Sequence, residues 1–159
     1  MKYIITTIFS LLFIMSFAAP GKKKQQLADN AVTHAYNEQC HSDAKNYWTI
    51  IDSQLCRHAY GEDYILIDTN GLFVYSRSYR STYMIGKMRF HSHVTKGYYS
   101  FGPCGEMFDI NHYVIKREFK QIPEFVAAIK RIDNDSLIKY RNRDTLVLIN
   151  VLYNNCKRH

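Results

Sequence analysis

An α+β fold, with N-terminal helices packed on an antiparallel sheet, follows from three observations on this sequence. Residues 25–38 carry apolar side chains at helical spacing. The stretch YILIDTNGLFVYS, residues 64–76, reads as two strands about an Asn-Gly turn. Beyond it, short apolar runs alternate with turn residues and include one short helix. Helices that precede a run of strands, without βαβ alternation, argue for an antiparallel sheet.

In the first helix, Leu27, Ala28, Ala31, Val32, Ala35 and Tyr36 share a face, while Asp29, Asn30, Asn37 and Glu38 point elsewhere. A second helical pattern follows, with Ser42 as cap and Asp43 favourable at the positive end of the dipole. Its apolar positions are Ala44, Tyr47, Trp48, Ile51 and Leu55, and Tyr60-Gly61 ends it.

The hairpin is signalled by Thr69-Asn70-Gly71, since Asn and Gly tolerate the positive φ of tight hairpin turns. Leu72 and Val74 share one face of its second strand, and Phe73 and Tyr75 the other. Two apolar faces place the hairpin centrally in the sheet, covered on at least one side.

Residues 77–88 are polar and Tyr-rich, with Gly86 as a break, and residues 88–94 read as a strand. The aromatic run 97–101 leads into FGPCGE, residues 101–106, which its Gly and Pro mark as a turn. Residues 107–119 read as a long strand, with Phe108, Ile110, His112 and Val114 on one face. Pro123 opens a short helix through Phe125, Val126 and Ile129. Asp133, Asn134 and Asp135 are turn residues, and the apolar run 146–153 is expected as an interior strand. There are no internal repeats and no low-complexity segments.

The chain has 159 residues and a formal charge of +7, spread along its length. Such a distributed excess favours anionic surfaces without naming one. Lys2, the apolar run IITTIFSLLFIMSF and the small residues Ser16, Ala18 and Ala19 make a secretory leader, with cleavage expected after Ala18. The run is shorter than the roughly 20 apolar residues of a spanning helix. The expected product is therefore one domain, residues 19–159, secreted or periplasmic, with no membrane span after cleavage. Asn134-Asp135-Ser136 is a glycosylation sequon, meaningful in a eukaryotic secretory pathway.

The four cysteines, Cys40, Cys56, Cys104 and Cys156, contain no C-x-x-C pair, which speaks against a zinc knuckle or a thioredoxin-like motif. An even number in an exported chain reads as two disulfides, with three possible connectivities. The expected pairs are Cys40 with Cys56 and Cys104 with Cys156.

The stretches YILIDTNGLFVYS, YMIGK (83–87), GYYSFG (97–102) and NHYVIKREF (111–119) together resemble the extracellular PAS-like sensor domains called Cache domains. The resemblance covers about residues 64–119. It implies a ligand on the sheet face, under the segment that follows the hairpin. That segment holds Arg80, Tyr83, Lys87, Arg89, His91, His93, Tyr98 and Tyr99. Its cations can pair with a carboxylate or phosphate, and its tyrosines can donate hydrogen bonds while packing on apolar groups. The expected partner is a small anionic ligand or another exported protein, with no cofactor and no specific nucleic acid.

RFHSHVTKG, residues 89–97, permits other chemistry. On a strand His91 and His93 face the same way and could meet one metal with a third ligand from His112, Glu106 or Asp109. No spacing selects that third ligand, and no metal is expected. A secreted ribonuclease would use His91 or His93 with His112 as base and acid, and Lys87 or Arg89 for the phosphate. The H-x-T form of two-histidine phosphoesterases occurs once, at His93-Val94-Thr95, where such enzymes need two. No G-x-S-x-G elbow, phosphate loop or metalloprotease motif is present. A third class is an exported effector or inhibitor that binds another protein. Non-catalytic binding is the expectation carried forward.

Overall fold

Two-residue turns lay most of the sheet down as a meander. A computed structural model describes residues 22–42, 44–140 and 146–157, and the leader expected at residues 1–18 lies outside them. After helix α1 (Lys22–Gln39) come β1 (Tyr47–Ile51), β2 (Gln54–Ala59), β3 (Glu62–Asp68), β4 (Phe73–Ile85), β5 (Met88–Ser100) and β6 (Phe108–Asp109). Each strand pairs antiparallel with the next, in the order β1-β2-β3-β4-β5-β6. Asp52 and Ser53 turn β1 into β2 with φ of 50° and 63°, and Tyr60 and Gly61 turn β2 into β3 at 54° and 77°. Positive φ at both central residues matches the right-handed twist of the flanking strands.

These turns correct the sequence reading of a second helix from the Ser42 cap to Tyr60-Gly61. Trp48, Ile51 and Leu55 fall at helical spacing by coincidence. The run YWTII is β-branched and aromatic, and the Asp52-Ser53 turn reverses it onto QLCRHA. The expected central hairpin forms, with β3 and β4 in the middle of the sheet, but its connection spans residues 69–72 and Gly71 alone, not Asn70, takes positive φ there.

The chain then supplies helices where strands were expected. Residues 107–119 yield only the two-residue β6 before Asn111 caps α2 (His112–Glu118), its Oδ1 accepting the Val114 N–H at 2.9 Å. The buried positions Ile115 and Phe119 are four apart, as a helix requires. Residues 146–153 likewise enter α5 (Leu148–Lys157), whose buried residues Ile149, Asn150 and Tyr153 follow helical spacing. Between them lie α3 (Pro123–Ile129), the expected helix, and the short α4 (Asn134–Leu137).

The sheet is covered on both faces. On one, Trp48, Ala59, Tyr64 and Tyr75 are buried with Tyr36 of α1 and Phe73 packed against them. Asn37 fixes α1 there: its Nδ2 donates to Trp48 O at 2.9 Å and its Oδ1 accepts from Trp48 N at 2.6 Å. On the other face, Leu72, Val74 and Tyr99 meet Ile115, Phe119 and Phe125 of the C-terminal helices. Each fully buried side chain of this size contributes about 1.5–3 kcal/mol relative to exposure. Gly97 has a steric task, because a Cβ there would collide with Ile138 Cγ2 and lie 3.1 Å from Ile110 Cδ1.

The cysteine pairing also differs from expectation. Cys40 pairs with Cys104, with Cα atoms 5.0 Å apart, while Cys56 and Cys156 are free thiols. Cys40 ends α1 on one face of the sheet. Cys56 alternates with Leu55 and Arg57 along β2 and so points to the opposite face. Cys156 packs with the helical layer on that opposite side. Neither expected pair can meet through the sheet.

Candidate functional site

β4 and β5 are each 13 residues long, more than twice the length of β1. β3 pairs with β4 only through Val74, Tyr75 and Ser76, and β6 pairs with β5 only at Tyr98 and Tyr99. Residues 77–85 and 88–96 therefore ladder only with each other and form a two-stranded arm beyond the sheet. At about 3.3 Å per residue, the arm extends roughly 26 Å past Arg77. Gly86 at its tip has φ of 60°, a value that suits Gly at the first position of a two-residue hairpin turn.

The register gives the arm two unlike faces. Arg80 pairs with His93, Thr82 with His91 and Met84 with Arg89 on one face. Tyr79 pairs with Val94, Tyr83 with Phe90 and Ile85 with Met88 on the other. Tyr83 and Phe90 stack, with ring centroids 5.6 Å apart and planes at 17°. Tyr83, Met84, Ile85 and Met88 are exposed, the last at 63%. At the base, Arg77 pairs with Glu62 at 2.6 Å and lies 5.8 Å from the Tyr79 ring, with Lys96 Nζ 5.7 Å from the same ring. Residues 77–96 hold five Lys or Arg and no Asp or Glu.

Six of the eight sequence-predicted residues, Arg80, Tyr83, Lys87, Arg89, His91 and His93, lie on this arm. The other two do not join them. Tyr98 packs edge-on against Tyr64 at 4.9 Å on the α1 side, and Tyr99 is fully buried against Phe108 at 5.4 Å on the other. The six also split between faces, with Tyr83 opposite Arg80, Arg89, His91 and His93. Sequence reading missed Tyr79, Ile85, Met88 and Phe90, because residues 77–88 were given no strand and so residues 88–94 had no partner to pair with. Their alternation with polar partners from residue 78 to 85 is the period-two signal that could have identified them.

Two concavities of the described surface lie away from these side chains. One of about 410 Å³ opens between the arm's base and α4, lined by Ile67, Ser76, Thr95, Ile138, Lys139 and Tyr140 among others. A second, of about 340 Å³, lies over β2–β4 and is lined by Cys56, Asp63, Ile65 and Ser78 among others. None of the eight residues lines either.

His112 is set apart from His91 and His93. His91 Nδ1 meets Thr82 Oγ1 at 2.9 Å on the arm, while His112, at the start of α2, meets Ile132 O at 2.8 Å. Among the described residues no three His, Cys, Asp or Glu side chains are grouped to hold a metal.

One further constellation was not read from the sequence. His58 Nδ1 meets Asp63 Oδ1 at 2.7 Å, Tyr47 stacks on the imidazole at 4.7 Å, and Cys56 is on the same face of β2. A nucleophilic thiol would need a lowered pKa. Burial pushes the Cys56 thiol up, with Asp63 and Asp52 adding to the rise, and its Sγ meets Gln54 O at 3.4 Å. The thiol therefore rests protonated and inward.

Together these features define an α+β domain that presents a basic, amphipathic β-ribbon. Compared with known proteins, the chain matches no family model, no curated protein and no solved structure.

Proposed function

We propose that the protein is a non-catalytic binding module of an oxidising, exported compartment, and that its β4–β5 arm engages an anionic partner. One observation carries this reading: residues 77–96 project from the sheet with five cations, no carboxylate and four exposed large apolar side chains. The core does not use these side chains, and an exposed apolar patch rimmed by charge is a recurrent mark of an interaction surface. The Cys40–Cys104 disulfide supports the compartment. Among the described residues no helix is long and apolar enough to cross a membrane.

The Cache-like version of this reading, a small anion held by Arg80, Lys87 and Arg89, needs an enclosing pocket beside them. Neither of the two concavities described above is lined by these cations, which favours an extended partner. The ribonuclease reading needs His112 beside His91 or His93, and their separate hydrogen bonds on α2 and the arm disfavour it.

The test replaces residues 79–94 with a two-residue turn and compares binding of anionic vesicles, RNA, acidic peptides and small carboxylates or phosphates. The shortened protein should keep its circular dichroism spectrum and its disulfide, and lose the binding of the full chain. Wild-type affinity in the shortened protein would overturn the proposal, as would RNA cleavage abolished by His91→Ala.

A further inference from the structure

We infer that the arm's anionic partner is a phospholipid surface, into whose interface the ribbon dips tip first. The inference rests on the binding role proposed above and deepens it.

The argument is the order of side chains along that face. From tip to base, the cross-strand pairs are Ile85 with Met88, Tyr83 with Phe90, Ser81 with Ser92, Tyr79 with Val94, and Arg77 with Lys96. Past the tip turn that carries Lys87, aliphatic side chains come first on this face, then aromatic rings interrupted by the serine pair, and then cations. That is the depth profile of a membrane interface, where acyl chains give way to an aromatic belt and then to phosphates. The cation contacts of Arg77 and Lys96 with the Tyr79 ring mark the level at which charge resumes.

The opposite face fits the same surface. An amphipathic segment sinks about 5–10 Å into the headgroup boundary. With only the tip at that depth, Arg80 and Arg89 stay within reach of lipid phosphates, and the turn residue Lys87 reaches them by extending its long stem back toward the interface. An RNA strand offers no equivalent match, because the stacked Tyr83–Phe90 pair and the Arg80–Arg89 row lie on opposite faces. Stacking on Tyr83 and Phe90 while pairing phosphates with Arg80 and Arg89 would need one strand to contact both sides at once, and on the stacking face Arg77 is already paired with Glu62. The free edges of a two-stranded ribbon carry unpaired backbone groups, which confines it to the interface and rules out a span.

The experiment uses the full, disulfide-intact protein with vesicles of phosphatidylcholine alone or mixed with phosphatidylglycerol. The wild type should sediment with the mixed vesicles and not with phosphatidylcholine alone. Ile85→Ser with Met88→Ser leaves the charge unchanged and should weaken binding by at least about tenfold, from the loss of two buried aliphatic groups. Lys87→Ala and Arg89→Ala should each weaken it by about fivefold. An Ile85→Trp reporter should shift its emission to the blue on binding.

Binding that is indifferent to the Ser pair, or a reporter emission unchanged on binding, overturns insertion. Arm-dependent binding of RNA or acidic peptide without vesicle binding overturns the lipid assignment and leaves the binding role intact. An arm that pairs two copies of the chain in sedimentation, without vesicle binding, also overturns it. No arm-dependent binding to any probe defeats both readings. The substituted positions are exposed, so retained circular dichroism shows that each variant has folded.

Discussion

The Asn150 side chain brackets the backbone of Leu72, accepting its N–H at 2.9 Å through Oδ1 and donating to its C=O at 2.9 Å through Nδ2. Both residues are fully buried and 78 positions apart. The amide acts as a single rung of sheet, joining the start of the β4 region to α5. Asn37 does the same for Trp48 on the opposite face. Two asparagines thus anchor a helix on each side of the sheet.

Asn150→Ala leaves a buried N–H and C=O unpaired, at about 1–3 kcal/mol for each group. A loss of at least about 2 kcal/mol is expected in urea unfolding. Asn150→Asp can accept from Leu72 N but cannot donate to Leu72 O, so it should not restore the stability. A wild-type midpoint in either variant would refute the bracket's role.

Peptide mapping of unreduced protein should find Cys40 linked to Cys104, with two alkylatable thiols after unfolding. Removing the link by substituting both residues with Ala should cost about 4 kcal/mol, because it closes a loop of some 64 residues in the unfolded chain. Native Cys56 should alkylate slowly at mildly alkaline pH, since burial raises its pKa and keeps it as the thiol. A rapid reaction at Cys56, or a disulfide at Cys56 or Cys156, would contradict the structure.

Gly97→Ala should destabilise by about 1–3 kcal/mol through overpacking against Ile138. Ile138→Ala removes the obstructing methyl. The double variant should therefore lose less than the sum of the single changes, by at least about 0.5 kcal/mol. Strict additivity in denaturant titrations would show that the close approach is not what constrains position 97.

The Tyr99 hydroxyl is buried with no hydrogen-bond partner among the described residues, and burial and then Glu118 push its pKa well above the ordinary tyrosine value. Above pH ~10, the unfolded tyrosine loses its proton while the folded one keeps it. Stability from this group is thus full below that pH and falls as pH rises further. Tyr36, Tyr64 and Tyr75 are shifted in the same direction, chiefly by burial. Tyr99→Phe should be neutral or stabilising by about 1 kcal/mol at neutral pH, and should flatten the alkaline fall. A variant less stable than wild type at both pH values would argue that the hydroxyl has a partner.

The sequence by itself determined α1, the central hairpin, the FGPCGE turn and the Pro123 helix. Each is written in local chemistry: helical periodicity, an Asn-Gly turn, clustered Gly and Pro, and a proline at a helix start. It also brought together most of the arm's cations and histidines, because they are close in the chain. Tertiary structure decided the remainder. Residues 146–153 have strand propensity, yet they coil because Ile149, Asn150 and Tyr153 then meet the buried face of β4 and its neighbours. Residues 47–59 mimic helical spacing, yet they extend because Trp48 and Ala59 then cover Tyr75. The disulfide followed from the face each cysteine occupies, which counting residues cannot reveal. The arm's two faces likewise emerged only from the pairing of Arg77–Ile85 with Met88–Lys96, since a register shifted by one residue would exchange them. Local propensities are worth tenths of a kcal/mol per residue, and burial of a large side chain about 1.5–3 kcal/mol, so packing prevails wherever the two disagree.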